Sequence, residues 1–183
     1  RVGRKLHYIS GIEEDRNTDS EDHWTLDLDG GTEWVTAPGI FLPRNQFGVA
    51  VVGSKIYVIG GQFEHDATTS EPQDQPMVDV FDTESGTWGE GPDVPLPLSH
   101  FEPSTFVQGS DIIIVGGRSV DELSNQILAF STESNEWRQL GTLPNALRAP
   151  VAQLIGGKLI VGSGAVGGYS HQEAVRMSGR AHL

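Results

Sequence analysis

The chain has 183 residues, 37% of them hydrophobic, which suits one ordinary globular domain with a sizeable core, and no apolar run approaches the roughly 20 residues that span a bilayer. Acids outnumber bases 25 to 12, for a net charge of −13; this argues against nucleic acid, whose phosphates need clustered Lys and Arg, and favours a cation or a basic partner. With zero Cys, disulfides, thiolate nucleophiles and Cys-ligated metals are excluded.

The opening RVGRKLHYIS reads directly as strand, without the charged and then apolar leader of a signal peptide. KLHYISG (5–11) is the first of four short apolar strands that run into a glycine-containing stop. A polar stretch follows, then a second strand, HWTLDL (23–28), and the turn DGGTEW (29–34), whose Trp34 opens a third. FGVAVVG (47–53) leads into the next stop, KIYVIGG (55–61), followed by VDVFDT (78–83), the turn ESGTW (84–88) and the Pro-rich link EGPDVPLPL (90–98). DIIIVGG (111–117), ILAFST (127–132) and ESNEW (133–137) repeat the order, and KLIVGSG (158–164) starts it a fourth time. Each unit is therefore predicted to be four short antiparallel strands.

From each Trp to the next stop the spacing hardly changes: 26 residues from Trp34 to Gly60, 28 from Trp88 to Gly116 and 26 from Trp137 to Ser163. From stop to Trp it is 23, 27 and 20, so length variation sits just after the glycines, where insertions map to loops on one face of a repeat assembly.

A strand ending in Gly-Gly, a second strand, a Trp 20 to 27 residues on and a period near 50 resemble the kelch repeat, whose units form the blades of a β-propeller. The resemblance covers essentially the whole chain, with Ser10-Gly11 and Gly162-Ser163-Gly164 departing from a clean doublet. It implies an all-β kelch-type propeller fragment with units at about 1–43, 44–97, 98–146 and 147–183, two blades whole and two partial, the first lacking its innermost strand and the last stopping at HQEAVRMS (171–178). Such propellers close with six or seven blades, so strands from another segment or subunit are expected to complete the disc and cover its open edges.

Within this frame the paired glycines permit sharp turns, the Trp is an apolar plate between blades, and Ile56, Val58, Ile112 and Ile114 lie on strands buried on both sides. Gly162 to Gly167 satisfies G-x-G-x-x-G, but a dinucleotide turn must open a helix and be followed by an acid about 20 residues later, before which this chain ends. Gly168-Tyr169-Ser170-His171-Gln172 only approaches a nucleophile elbow, and the six histidines (7, 23, 65, 100, 171, 182) lack zinc-ligand spacing. Galactose oxidase shares the kelch-type propeller, but its copper site needs a Cys cross-linked to a Tyr, so the chain cannot form it.

Two sets of loop residues remain. Pro43-Arg44-Asn45-Gln46-Phe47-Gly48 resembles the kelch segment whose arginine points into the central channel and contacts acidic peptides in some kelch domains. Aligning Gly53 with Gly109 brings His100, with Glu102 nearby, to the same place, and Arg148 within one residue of it, so that Arg44, Asn45, His100, Glu102 and Arg148 form a candidate rim site. The alternative is that they hydrate the channel or bridge blades. The second set is the stretches 12–22, 62–76 and 118–125, which hold 12 of the 25 acids and would attract a basic partner or Ca²⁺, although no EF-hand spacing ending in Gly is present. No cofactor is otherwise expected.

The expected function is a non-catalytic module that binds a protein segment or a glycan through loops and rim. The rivals are a mutarotase- or epimerase-like enzyme using Arg44, His100, Glu102 and Arg148, and a structural part of an extracellular assembly. A Cys-free chain suits either side of a membrane, but kelch proteins without cysteine are common in bacterial envelopes, so the resemblance implies an extracellular or periplasmic home.

Overall fold

A computed structural model describes residues 1–64, 73–120, 122–166 and 176–177. The first blade is a three-stranded sheet of β1 (Lys5–Ile9), β2 (His23–Asp27) and β3 (Val35–Thr36). The second has four strands in sequence order, β4 (Gly48–Val52), β5 (Lys55–Ile59), β6 (Val78–Asp82) and β7 (Thr87–Gly91). After a single 3-10 turn at Glu102–Ser104 comes the third, built from β8 (Thr105–Gln108) and β9 (Asp111–Val115), then, past the small hairpin β10 (Arg118–Ser119) and β11 (Glu122–Leu123), from β12 (Gln126–Ser131) and β13 (Glu136–Thr142). The fourth is β14 (Val151–Ile155) paired with β15 (Lys158–Gly162), and β16 (Ala165–Val166) pairs with β17 (Arg176–Met177). All pairings are antiparallel. The architecture is thus that of propeller blades, two complete and two partial, and no helix among the described residues is long and apolar enough to cross a membrane.

Side chains alternate sides along a strand, so a strand with both faces covered must be apolar throughout. In β5, Ile56 and Val58 pack toward the first blade with Ile40, Phe81 and Trp88, while Tyr57 and Ile59 pack toward the third with Leu98, Phe101 and Phe130. In β9, Ile112 and Ile114 share that second interface, whereas Ile113 and Val115 face the fourth blade with Ala152 and Val161. Ile56, Val58, Ile112 and Ile114 are 0–2% exposed, and each such burial contributes about 1.5–3 kcal/mol.

Trp88 and Trp137 lie beside Phe81 and Phe130 of their own blades and donate their indole N–H to Pro38 O (2.7 Å) and Pro92 O (2.9 Å) of the preceding blade's link. Trp34, in the first blade, is 45% exposed.

The first interface also contains a polar pair that spacing along the chain does not reveal. His23, one strand over from His7, is 2% exposed, and its Nδ1–H donates to Pro38 O (3.0 Å). Its Nε2 is therefore a lone pair, and His7 Nδ1–H donates to it at 2.9 Å. Both rings pack on Phe81, His23 edge-on at 4.6 Å. Burial, then His23, the N-terminus and Lys5, lower the His7 pKa to about 4; burial lowers that of His23, against the pull of Pro38 O.

Candidate functional site

The two middle stops meet the link that enters the following blade. Gly61 N–H donates to Leu98 O at 2.7 Å and Gly117 N–H to Leu147 O at 2.8 Å. One residue further, Gln62 exchanges backbone hydrogen bonds with Asn45, Arg118 with Ser99, and Ala165 with Arg148. Post-stop loops and links therefore share one face.

Gln46, His100 and Ala149 all have positive φ (56, 58 and 48°), and they are joined in sequence around the rim: His100 N–H donates to Gln46 O, and Ala149 N–H to His100 O. His100 is thus equivalent to Gln46, and Arg44 falls in line with Leu98 and Leu147. The sequence alignment misses this by two residues because His100 precedes Gly109 by nine residues whereas Gln46 precedes Gly53 by seven. The extra length is taken up by the 3-10 turn at Glu102–Ser104.

Arg44 turns into the second blade and is 0% exposed. Nε donates to Gly60 O (2.5 Å), Nη1 to Leu42 O (2.9 Å) and Asp79 Oδ2 (2.5 Å), and Nη2 to Val58 O (3.1 Å) and Met77 O (3.4 Å). All five guanidinium hydrogens are used internally. Burial pulls its pKa down while Asp79 raises it. Asn45 is also enclosed, at 3% exposure, with Nδ2 donating to Asp19 Oδ1 at 2.6 Å. Its Oδ1 has no donor among the described residues.

His100 belongs to a network that spacing does not suggest. Ser99 Oγ–H donates to Asp74 Oδ1 at 2.5 Å, and His100 Nδ1 lies 2.6 Å from Oγ, so the ring N–H points at the hydroxyl oxygen. Arg118 clamps Asp74 through Nε and Nη2 and donates from Nη2 to Gln62 Oε1 (2.7 Å). The order Asp–Ser–His leaves the hydroxyl proton on the carboxylate side, and Ser99 is 0% exposed, so this is a clamp between blades rather than an activated nucleophile. The available sequence signal was an arginine directly after Gly116-Gly117.

Glu102 and Arg148 come close enough to interact. Protein atoms crowd the partly exposed Glu102 carboxyl and push its pKa up, while Arg148 pulls it back. In the first acidic loop Asp15 binds Asn17 N–H, Thr18 N–H and the Thr18 hydroxyl, and Asp19 binds Asn45 and Glu64 N–H. Glu13, Glu14, Glu21 and Asp22 of that loop are exposed. The stretch 62–76 is described only in part, and Asp121, His65, Gly167, Ser170, His171 and His182 lie outside the described residues. Gly162-Ser163-Gly164 continues into strand β16, not into a helix.

Kelch motif family models match residues 43–95 and 100–144. The chain is similar to an F-box/kelch-repeat protein of Arabidopsis thaliana, 34% identical over 49% of this chain and 19% of that protein. It is also similar to Kelch-like protein 40 of Mus musculus (26%, over 82% and 24%) and a kelch repeat-containing protein of Arabidopsis thaliana (28%, over 87% and 42%). The chain thus spans from a fifth to about two fifths of these relatives' lengths.

Proposed function

As the chain belongs to the kelch-repeat family, we propose that it is a non-catalytic protein-interaction module whose loop-bearing face takes up a basic segment of a partner protein. The charge balance of that face carries this reading. Arg44 and Arg118 are committed to Asp79 and Asp74 inside the molecule, whereas Glu13, Glu14, Glu21 and Asp22 present their carboxylates to solvent. An acidic face with internally matched arginines favours approach of Lys and Arg and repels an acidic peptide. A relative whose name joins kelch repeats to an F-box fits a binding role. An epimerase-like reading is weaker, because Arg44 is turned away from His100, Glu102 and Arg148.

The test is fluorescence anisotropy with three labelled peptides of equal length, alternating Gly with Lys, Glu or Ser. The Lys peptide is expected to bind, more weakly as salt rises, and about tenfold more weakly to a Glu13→Gln/Glu14→Gln variant, a change of ~1.4 kcal/mol. Preference for the Glu peptide, or no difference among the three, would overturn the proposal.

A further inference from the structure

On the outer part of the first blade a shallow cleft of about 370 Å³ is lined by Glu21, Asp22, His23, Thr36, Gly39 and Phe41, among others. Phe41 is 68% exposed, more than any other large hydrophobic side chain among the described residues. Its neighbour explains the placement. Ile40 is 3% exposed in the core between the first two blades, and the chain bends at Phe41 and Leu42, so the residue after the anchored Ile40 is left at the surface. The link is held there by Ile40 N–H donating to Glu21 O (3.3 Å), and it approaches so closely that a Cβ on Gly39 would lie 2.6 Å from the same oxygen. Phe41 thereby lines the same cleft as the exposed Glu21 and Asp22.

Among the described residues no Lys or Arg lines this cleft. His23, at its inner side, is enclosed with its Nδ1–H committed to Pro38 O and brings no positive charge at neutral pH. The cleft therefore joins an aromatic face and two acidic residues, with no cationic residue among its described lining. An anion would be repelled, and a purely apolar occupant would strip water from both carboxylates without replacing it. A cation on an aliphatic stem answers both surfaces, its head at the ring and carboxylates and its methylenes along the Phe41 edge.

We infer that the Glu21–Asp22–Phe41 cleft is a recognition pocket for one Lys or Arg side chain of a partner protein, a reading that rests on the basic-segment proposal above. The intact chain would be titrated with N-acetyl-lysine amide, N-acetyl-arginine amide and the neutral N-acetyl-norleucine amide, following the backbone amide NMR resonances of Glu21, Asp22, Thr36 and Ala37, which line the cleft and are present in every variant. The two cationic amides are expected to shift them saturably and the norleucine amide to leave them in place. Phe41→Leu keeps an apolar side chain but loses the ring, and should weaken the cationic amides by about two- to fivefold, with Phe41→Trp restoring or exceeding the original affinity. Glu21→Gln/Asp22→Asn should weaken them as well. Equal shifts from the norleucine amide, or unchanged lysine-amide affinity in Phe41→Leu, would overturn the pocket. If the Lys peptide still binds when the amides are silent, the pocket fails and the acidic face stands; if the amides bind and the peptide does not, the face reading is the one that fails.

Discussion

Arg44 sits in a segment whose sequence promises a ligand contact, yet its backbone lies two residues before the rim position and its guanidinium has entered the second blade. A charge enclosed with one matched carboxylate is sensitive to that partner's loss. Asp79→Ala should therefore destabilise the fold by ~3–5 kcal/mol in urea unfolding, and a loss below about 1 kcal/mol would mean that water still reaches the guanidinium. His7 and His23 set a different condition. The His7 pKa is lowered from 6.5 to about 4, so as pH falls below 6.5 the unfolded chain takes up a proton before the folded chain does. Stability should accordingly fall between pH 6.5 and about 4, while His7→Leu shows a flatter profile over that window. Matching profiles in urea melts of the two proteins would contradict this. Of these residues, the sequence made Arg44 and His100 visible as candidates but not their surroundings. Asp79 is 35 positions from Arg44 and Asp74 is 44 from Arg118, and nothing local in the sequence links them.

Strands and stops were the most legible elements, because strand periodicity and glycine turns are local properties. The stops hold even where the doublet is broken: Ser10 and Ser163 adopt φ of 52 and 61°, next to 57° at Gly60 and 72° at Gly116. Backbone angle alone thus does not demand glycine there. What does is the neighbouring link, since a Cβ on Gly60 would run into Leu98 O and the Phe101 ring, whereas at Ser10 the hydroxyl donates to Arg44 O at 2.8 Å. Gly53 has φ of 60° and open space around it. Gly53→Ala should then cost about 1 kcal/mol and Gly60→Ala at least ~3 kcal/mol; equal midpoints in thermal melts would show that the link yields. The 3-10 turn at Glu102–Ser104 was not foreseen, and it is what displaced the rim alignment.

At the scale of the whole molecule, the faces turned away from the middle blades remain apolar. Tyr8 lies opposite Trp24 and Leu6 opposite Leu26, on the side of β1 away from His7 and the second blade, and Tyr8 is 53% exposed. On the fourth blade Val151 and Ile155 are 54% and 61% exposed, while Ala152 between them packs inward. Between blades one and four the strand faces are largely covered by a neighbour, with Val49 and Val107 left 44% and 38% exposed. The chain is therefore expected to associate through these faces in a concentration-dependent way, and Tyr8→Lys/Ile155→Lys to remain monomeric in sedimentation. A monomer at all concentrations for the unaltered chain would refute that expectation.

The sequence by itself determined the repeat, the strands and their two-sided burial, the stops and the excess of acid, because each is written in local spacing or in composition. Tertiary structure decided which arginines are spent inside, that His100 shares its place with Gln46, that His7 meets His23, and that Phe41 stands beside Glu21 and Asp22. Those outcomes depend on how far one link slides along the next blade. A short 3-10 turn that adds two residues, or a single buried isoleucine, changes that, and neither leaves a periodic mark in the chain.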